Sequence, residues 1–210
     1  PQPLRKLAAL AQSLIEPGHI NSLAQTLLRN TCPGVPDLYQ GTELWDYSLV
    51  DPDNRRPVDY ERRRLLLSSR TITQPGLKHW RNGAVKQSLI YAAMQLRAQY
   101  PAIFSGPYQP LYAQGPHAAH VVAFLRGMGR RTVLVAVPRL CTCRIAGYAR
   151  DEAETAKQFW RGTTLRLPSL PGLVWKDRLS QRELALSTTG EIALDTLFQD
   201  WPVALCANAD

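Results

Sequence analysis

Between Pro33 and Pro57 the chain carries four prolines (Pro33, Pro36, Pro52, Pro57) and two glycines (Gly34, Gly41), which excludes helix from this stretch. Any fold must therefore arrange its helices and strands around a stiff, irregular span. Val35, Asp37, Leu38 and Tyr39 read as a short buried strand that Gly41 ends. Beyond it come Glu43, Trp45, Asp46, Tyr47, Asp51, Asp53, Asn54, Arg55 and Arg56 with few apolar residues between them, the composition of a surface loop. Pro52 and Pro57 stiffen that loop by fixing φ and restricting the residues before them. Carboxylates and guanidinium groups hydrogen-bond hydroxyls in pairs, and flat rings suit the C–H face of a pyranose, so this is chemistry fit for a sugar. An ordinary turn with solvated charges has the same composition, and composition alone does not choose between them.

On the N-terminal side, Leu4, Leu7, Ala8, Ala11, Leu14 and Ile15 recur at helical spacing, and Pro17–Gly18 is expected to stop that helix. A second helix is expected from Asn21 or Ser22, either of which can cap it, with Leu23, Ala24, Leu27 and Leu28 on its apolar face. After the loop, Tyr60–Ser69 reads as a helix with Leu65, Leu66 and Leu67 buried and Arg62–Arg64 in solvent. Thr71–Gly83 reads as a connection, and Lys86–Gln99 as a helix that Pro101 stops.

From Tyr108 onward the texture changes. Tyr108–Ala113, Ala119–Leu125 and Thr132–Val137 are short β-rich runs, with Gly127–Arg131 as a hairpin turn. Thr164–Leu167, Leu173–Trp175, Glu183–Ser187, Ile192–Leu194 and Val203–Cys206 add further strands, with a turn at Thr189–Gly190, and Asp151–Gln158 reads as a short helix or insertion. The expected product is an antiparallel β-sandwich, with a domain boundary near Phe104–Gly106. Trp160, Trp175 and Trp201 fit either its core or a carbohydrate-stacking platform.

At 210 residues and 45% hydrophobic content the chain can build a core. The longest apolar run, Thr132–Val137, is far short of the roughly 20 residues of a membrane span. Cys32, Cys141, Cys143 and Cys206, with no secretory signal at the start, read as reduced thiols of a cytoplasmic protein. A Cys141-x-Cys143 pair without a second pair is a poor zinc signature, so no metal is expected. The net charge of +8 invites a nucleic-acid reading. The arginines near the loop are mixed with Asp51, Asp53, Asp59 and Glu61, which repel phosphate, and no phosphate loop or zinc finger is present. Solvated basic faces are therefore the preferred reading. Because the chain starts at Pro1 rather than Met, it reads as a piece of a longer protein.

The string PGVPDLYQGTELWDYSLVDPDNRRPVDYE (Pro33–Glu61) resembles the late barrel segment of the maltooligosyl trehalose synthases, a family of the α-amylase superfamily (glycoside hydrolase family 13). Pro33, Pro36, Tyr39, Gly41 and Glu43 match a pattern shared by many amylase-like barrels at their eighth strand. The continuation ELWDYSLVDPDNRRPVDYE is more specific to the trehalose-forming enzymes. The resemblance implies an α+β fragment: residues 1–104 as closing helices and eighth strand of a (β/α)8 barrel, and 105–210 as an antiparallel β-sandwich C-terminal domain. It implies for the whole enzyme a cofactor-free intramolecular transglycosylation, in which the reducing-end α-1,4 linkage of a maltooligosaccharide becomes α,α-1,1. The catalytic carboxylates of that family lie on earlier strands, and none maps here. This chain is therefore expected to be inactive alone and to need the missing N-terminal barrel portion. Tyr39, Glu43, Asp51, Asp53, Asn54, Arg55 and Arg56 are the expected substrate-binding residues, each arginine contacting glucose units or bracing a carboxylate. His19 and His79 are expected at helix ends or on the surface. A stand-alone glucan-binding module and a different amylase-like glycosidase remain the alternatives.

Overall fold

A single helix, α1 (Gln2–Thr31), opens the chain and runs through Pro17 without a break, where the sequence predicts two helices. The computed structural model describes residues 2–48, 51, 55–68, 77–141, 143–145, 153–168 and 174–208. A proline inside a helix forfeits one backbone hydrogen bond and costs about 3 kcal/mol, which packing can offset. From Pro17 onward α1 is anchored by Ile20, Leu23, Ala24 and Leu27, all buried. Before Pro17 the apolar stripe stands in solvent, with Leu4, Leu7, Leu10 and Leu14 exposed. Pro17 thus marks where the helix meets the body of the protein, not where it ends.

Val35–Tyr39 is not a strand here. A strand needs a ladder partner, and neither sheet of the described residues includes these positions. The segment is extended, with Val35 95% exposed, and it passes into a turn at residues 40–43. The chain becomes helical again at α2 (Tyr60–Ser68), whose first turn is capped by Asp59: its Oδ1 accepts the Arg62 N–H at 2.9 Å. Contrary to expectation, Leu65 and Leu67 are exposed and Leu66 only half-buried. Successive residues of a helix point about 100° apart, so three leucines in a row cannot share one buried face. α3 (Leu77–Arg81) and α4 (Ala84–Gln99) follow, α4 burying Val85, Leu89, Ile90, Ala93 and Leu96. α5 (Pro101–Ser105) starts on Pro101, which can occupy the first turn because no helical N–H bond is lost there.

Among the described residues from Tyr108 onward, strands of antiparallel sheet are joined by two short α-helices and a 3-10 turn at Ala118–His120. β1 (Tyr108–Leu111), β2 (Val121–Met128), β3 (Arg131–Pro138), β5 (Trp175–Asp177), β6 (Glu183–Leu184) and β8 (Ala204–Ala207) form one six-stranded sheet in the order β1-β2-β3-β8-β5-β6. β4 (Thr164–Arg166) and β7 (Glu191–Ala193) make a separate two-stranded ladder. α6 (Ala153–Trp160) and α7 (Leu194–Leu197) lie between strands in sequence. The predicted hairpin is present: β2 and β3 pair to Met128↔Arg131, closing on Gly129–Arg130. β3 is buried from Thr132 to Pro138 and β8 throughout, as central strands covered on both faces must be. Trp160, Trp175 and Trp201 are each 1% exposed, so they are core and not a stacking platform.

Helices and sheet share one apolar cluster, from Ile20 and Leu27 through Leu89 and Phe104 to Phe124, Val135 and Leu205. Arg126 is buried within it, and its guanidinium is held by carbonyls. Nη1 donates to Thr31 O at 2.8 Å, and Nη2 donates to Phe104 O and to Gly106 O. Two of those carbonyls belong to the last turns of α1 and α5, where helices leave carbonyls without internal partners and carry partial negative charge. One side chain of β2 thus fastens two helix ends to the sheet.

Candidate functional site

The loop predicted to carry function is set by two backbone devices. Gly41 takes a left-handed φ of 87° and Gly83 one of 76°, both costly for a residue with a side chain. At Gly83, a Cβ would stand 2.8 Å from the Trp45 backbone nitrogen, so the loop at Leu44–Trp45 lies directly on the α3–α4 junction. Leu44 is buried there, and the Trp45 indole N–H donates to the Trp80 carbonyl at the same junction.

Glu43 and Arg63 form the first charged unit. Arg63 Nε donates to Glu43 Oε2 at 2.7 Å, while its Nη2 donates to Gly41 O at 2.6 Å and its Nη1 to Asp59 O at 3.0 Å. Both side chains are largely shielded, 16% exposed for Arg63 and 28% for Glu43. Gln87 of α4 donates to the Arg63 carbonyl at 2.9 Å, extending the clamp from loop through α2 to α4. Arg63 was expected in solvent with its neighbours; only Arg62 and Arg64 are there.

Asp51 and Arg55 form the second. Arg55 Nε meets Asp51 Oδ1 at 2.7 Å and its Nη2 meets Oδ2 at 2.5 Å, a forked pair at an exposed position. Tyr39 is 44% exposed at the turn, its carbonyl accepting the Thr42 N–H and hydroxyl. Arg56 is exposed. Asp53 and Asn54 lie outside the described residues.

An aromatic stack adjoins the loop. The His19 ring lies flat on Trp45, centroids 3.9 Å apart and planes 2° from parallel, and Trp80 continues the group. His19 Nε2 and the Tyr47 hydroxyl are 2.6 Å apart, and Tyr47 is 71% exposed. Burial lowers the His19 pKa below its ordinary value, opposed by Glu16. Lys86 of α4 is buried nearby and donates from Nζ to the Leu44 carbonyl at 3.3 Å; desolvation depresses its pKa, and Asp46 partly offsets this. The Ser48 N–H, at 2.9 Å, and its hydroxyl hold the Asp46 carboxyl below its usual range. His19 was expected at a helix end or on the surface; it is buried in mid-helix. The available signal was Trp45-x-Tyr47, two aromatic rings in a loop otherwise polar.

Together with His19 of α1, the loop thus carries the Trp45–His19–Tyr47 stack and two carboxylate–arginine pairs. It offers ring faces, hydroxyl and imidazole groups, and paired acceptors and donors, the groups that hold a polyhydroxylated ligand. Among the described residues no group of three or more His, Cys, Asp or Glu could hold a metal ion.

No family model matches the chain. Two sequences from Mycobacterium tuberculosis strains, CDC 1551 / Oshkosh and ATCC 25618 / H37Rv, carry a provisional description as maltooligosyl trehalose synthase and are each 40% identical over 201 residues, 95% of this chain. The chain is similar to maltooligosyl trehalose synthase. A solved structure, a mutant of maltooligosyltrehalose synthase from Arthrobacter ramosus, matches 96% of the chain at 34% identity with a TM-score of 0.75. The chain spans 22% of the length of the two curated synthases and 24% of the solved one. The mixed α+β architecture with its antiparallel sheet is therefore shared with part of that synthase.

Proposed function

We propose that this chain is the C-terminal portion of a (1→4)-α-D-glucan 1-α-D-glucosylmutase, which moves the reducing-end α-1,4 linkage of a maltooligosaccharide to α,α-1,1 and yields a maltooligosyl trehalose. The observation that carries this reading is the likeness to the synthases over almost the whole chain, at 40% and 34% identity. In this reading residues 1–104 close a (β/α)8 barrel and 105–210 form its β-sandwich C-terminal domain. The catalytic carboxylates come from the remainder of the enzyme, and this portion supplies binding and orientation. The four cysteines are free thiols, in keeping with the cytoplasm.

The loop's chemistry suits that role. A retaining transfer must hold the displaced glucose and keep water from its place, because water there gives hydrolysis. Glu43 is fixed by Arg63, and Asp51 by Arg55, so each carboxylate keeps lone pairs for hydroxyls without having to be ordered on binding. Tyr39, Asp53, Asn54 and Arg56 are the remaining residues of the proposed substrate-binding set. Tyr47, exposed and tied to His19, is a further ring edge on the same loop.

The test is product chromatography with maltopentaose, comparing this chain alone, the upstream portion alone and the two mixed. Trehalose-linkage formation only in the mixture, weakened by Arg55→Ala, is the expected result. Conversion by this chain alone would overturn the assignment of the catalytic acids to the remainder.

A further inference from the structure

Away from the loop, a groove collects sugar-binding groups that the reading above leaves unused. Along α4, Tyr91, Gln95 and Gln99 are spaced four residues apart and so stand in one stripe. Opposite them the turn between β5 and β6 brings Arg178 and Gln181 to the same groove, over the buried side chain of Leu96. The groove is open to solvent on one side and has a volume of about 140 Å³. A cavity of about 150 Å³ holds a six-membered ring, so there is room for one sugar ring, and the open side leaves the rest of a chain in solvent.

The turn is built to be rigid. Asp177 is 3% exposed, and its carboxylate accepts the Leu179 N–H at 2.9 Å, the Ser180 N–H at 3.3 Å and the Ser180 hydroxyl at 2.6 Å. Gln181 holds a φ of 64°, unusual for a side-chain-bearing residue, and donates from Nε2 to the Arg178 carbonyl at 2.8 Å. Such a conformation persists only where the surroundings enforce it. The turn side of the groove is therefore held in place, which lowers its share of the ordering cost of a ligand.

Among the described residues, its lining has no carboxylate and one guanidinium. Three amides offer both donors and acceptors, and Tyr91, 41% exposed, offers a ring face and a hydroxyl. A phosphorylated ligand would call for more than one cation, whereas a neutral polyol with an apolar C–H face matches these groups. We infer that the groove is a second glucan site, which takes a glucose unit of an α-1,4-linked chain at the seam between α4 and the six-stranded sheet. The inference rests on the proposed function for the identity of the sugar.

The test is titration of the full chain with maltoheptaose, followed by NMR of the glutamine side-chain amides, with Tyr91→Ala and Gln95→Ala variants. Movement of the Gln95, Gln99 and Gln181 amide signals, and an about tenfold weaker Kd in Tyr91→Ala with an unchanged melting temperature, is expected. Were Tyr91→Ala to fold poorly, the exposed Gln95→Ala decides, with an about threefold loss. Still amide signals, or wild-type affinity in both folded variants, would overturn the inference. Groove binding that persists while the complementation assay fails would remove the mutase reading and leave the groove.

Discussion

His19 and Trp45 lie ring on ring, 3.9 Å between centroids, with the histidine also hydrogen-bonded to Tyr47. This joins α1 to the loop through a group whose charged form burial disfavours. Its folded pKa lies below the ordinary 6.5, so the unfolded chain takes up the proton first. The stability His19 contributes is fully present above that ordinary value and is lost as pH falls through the lowered one. Urea midpoints measured from about pH 8 down to about pH 5 should fall more steeply for the wild type than for His19→Gln. Parallel curves would show that the stack tolerates imidazolium.

The Glu43–Arg63 clamp should be structural as well as functional. Arg63→Ala removes one shielded ion pair and frees the Gly41 and Asp59 carbonyls, at a cost on the order of 2 kcal/mol. Glu43→Gln keeps a hydrogen-bond acceptor and is expected to cost less than half of that. Chemical denaturation of both variants checks the ordering.

Asp51 and Arg55 should behave oppositely. Their side chains are 54% and 65% exposed, where a salt bridge contributes roughly 0 to 1 kcal/mol. Arg55→Ala is expected to leave the denaturation midpoint nearly unmoved while lowering trehalose-linkage formation in the complemented enzyme. A large stability loss with unchanged turnover would make this pair a brace and not a substrate contact.

Gly83→Ala should be among the most damaging small changes in the chain. It places a side chain at a left-handed φ and drives Cβ into the Trp45 backbone nitrogen, for an expected loss of about 1–3 kcal/mol. Trp fluorescence should report the disturbance, since Trp45 and Trp80 flank the glycine.

What the sequence disclosed was local. The α4 helix and the β2–β3 hairpin could be read because their periodicity and turn residues lie within each segment. The continuity of α1 through Pro17 could not, because the packing that offsets the lost hydrogen bond comes from elsewhere in the fold. The strand expected at Val35–Tyr39 failed for the same reason, since a ladder needs a distant neighbour. Within the loop, the residue types were legible but their pairing was not. Asp51 and Arg55 are four residues apart and could be joined on paper, whereas Glu43 finds Arg63 twenty residues on and His19 finds Tyr47 twenty-eight on. Arg63, hidden in a run of three arginines, gave no sign that one of them turns inward.

The Arg126 guanidinium reaches back ninety-five residues to the end of α1 but only about twenty to the end of α5. Such separations set an order in time. As the chain is synthesised, the end of α1 emerges long before the residue that will fasten it, and closing that loop carries an entropic cost. α1 can pack on α4 first, but its end is fastened only once β2 is in place. Placing that one arginine ties the ends of α1 and α5 to the sheet together.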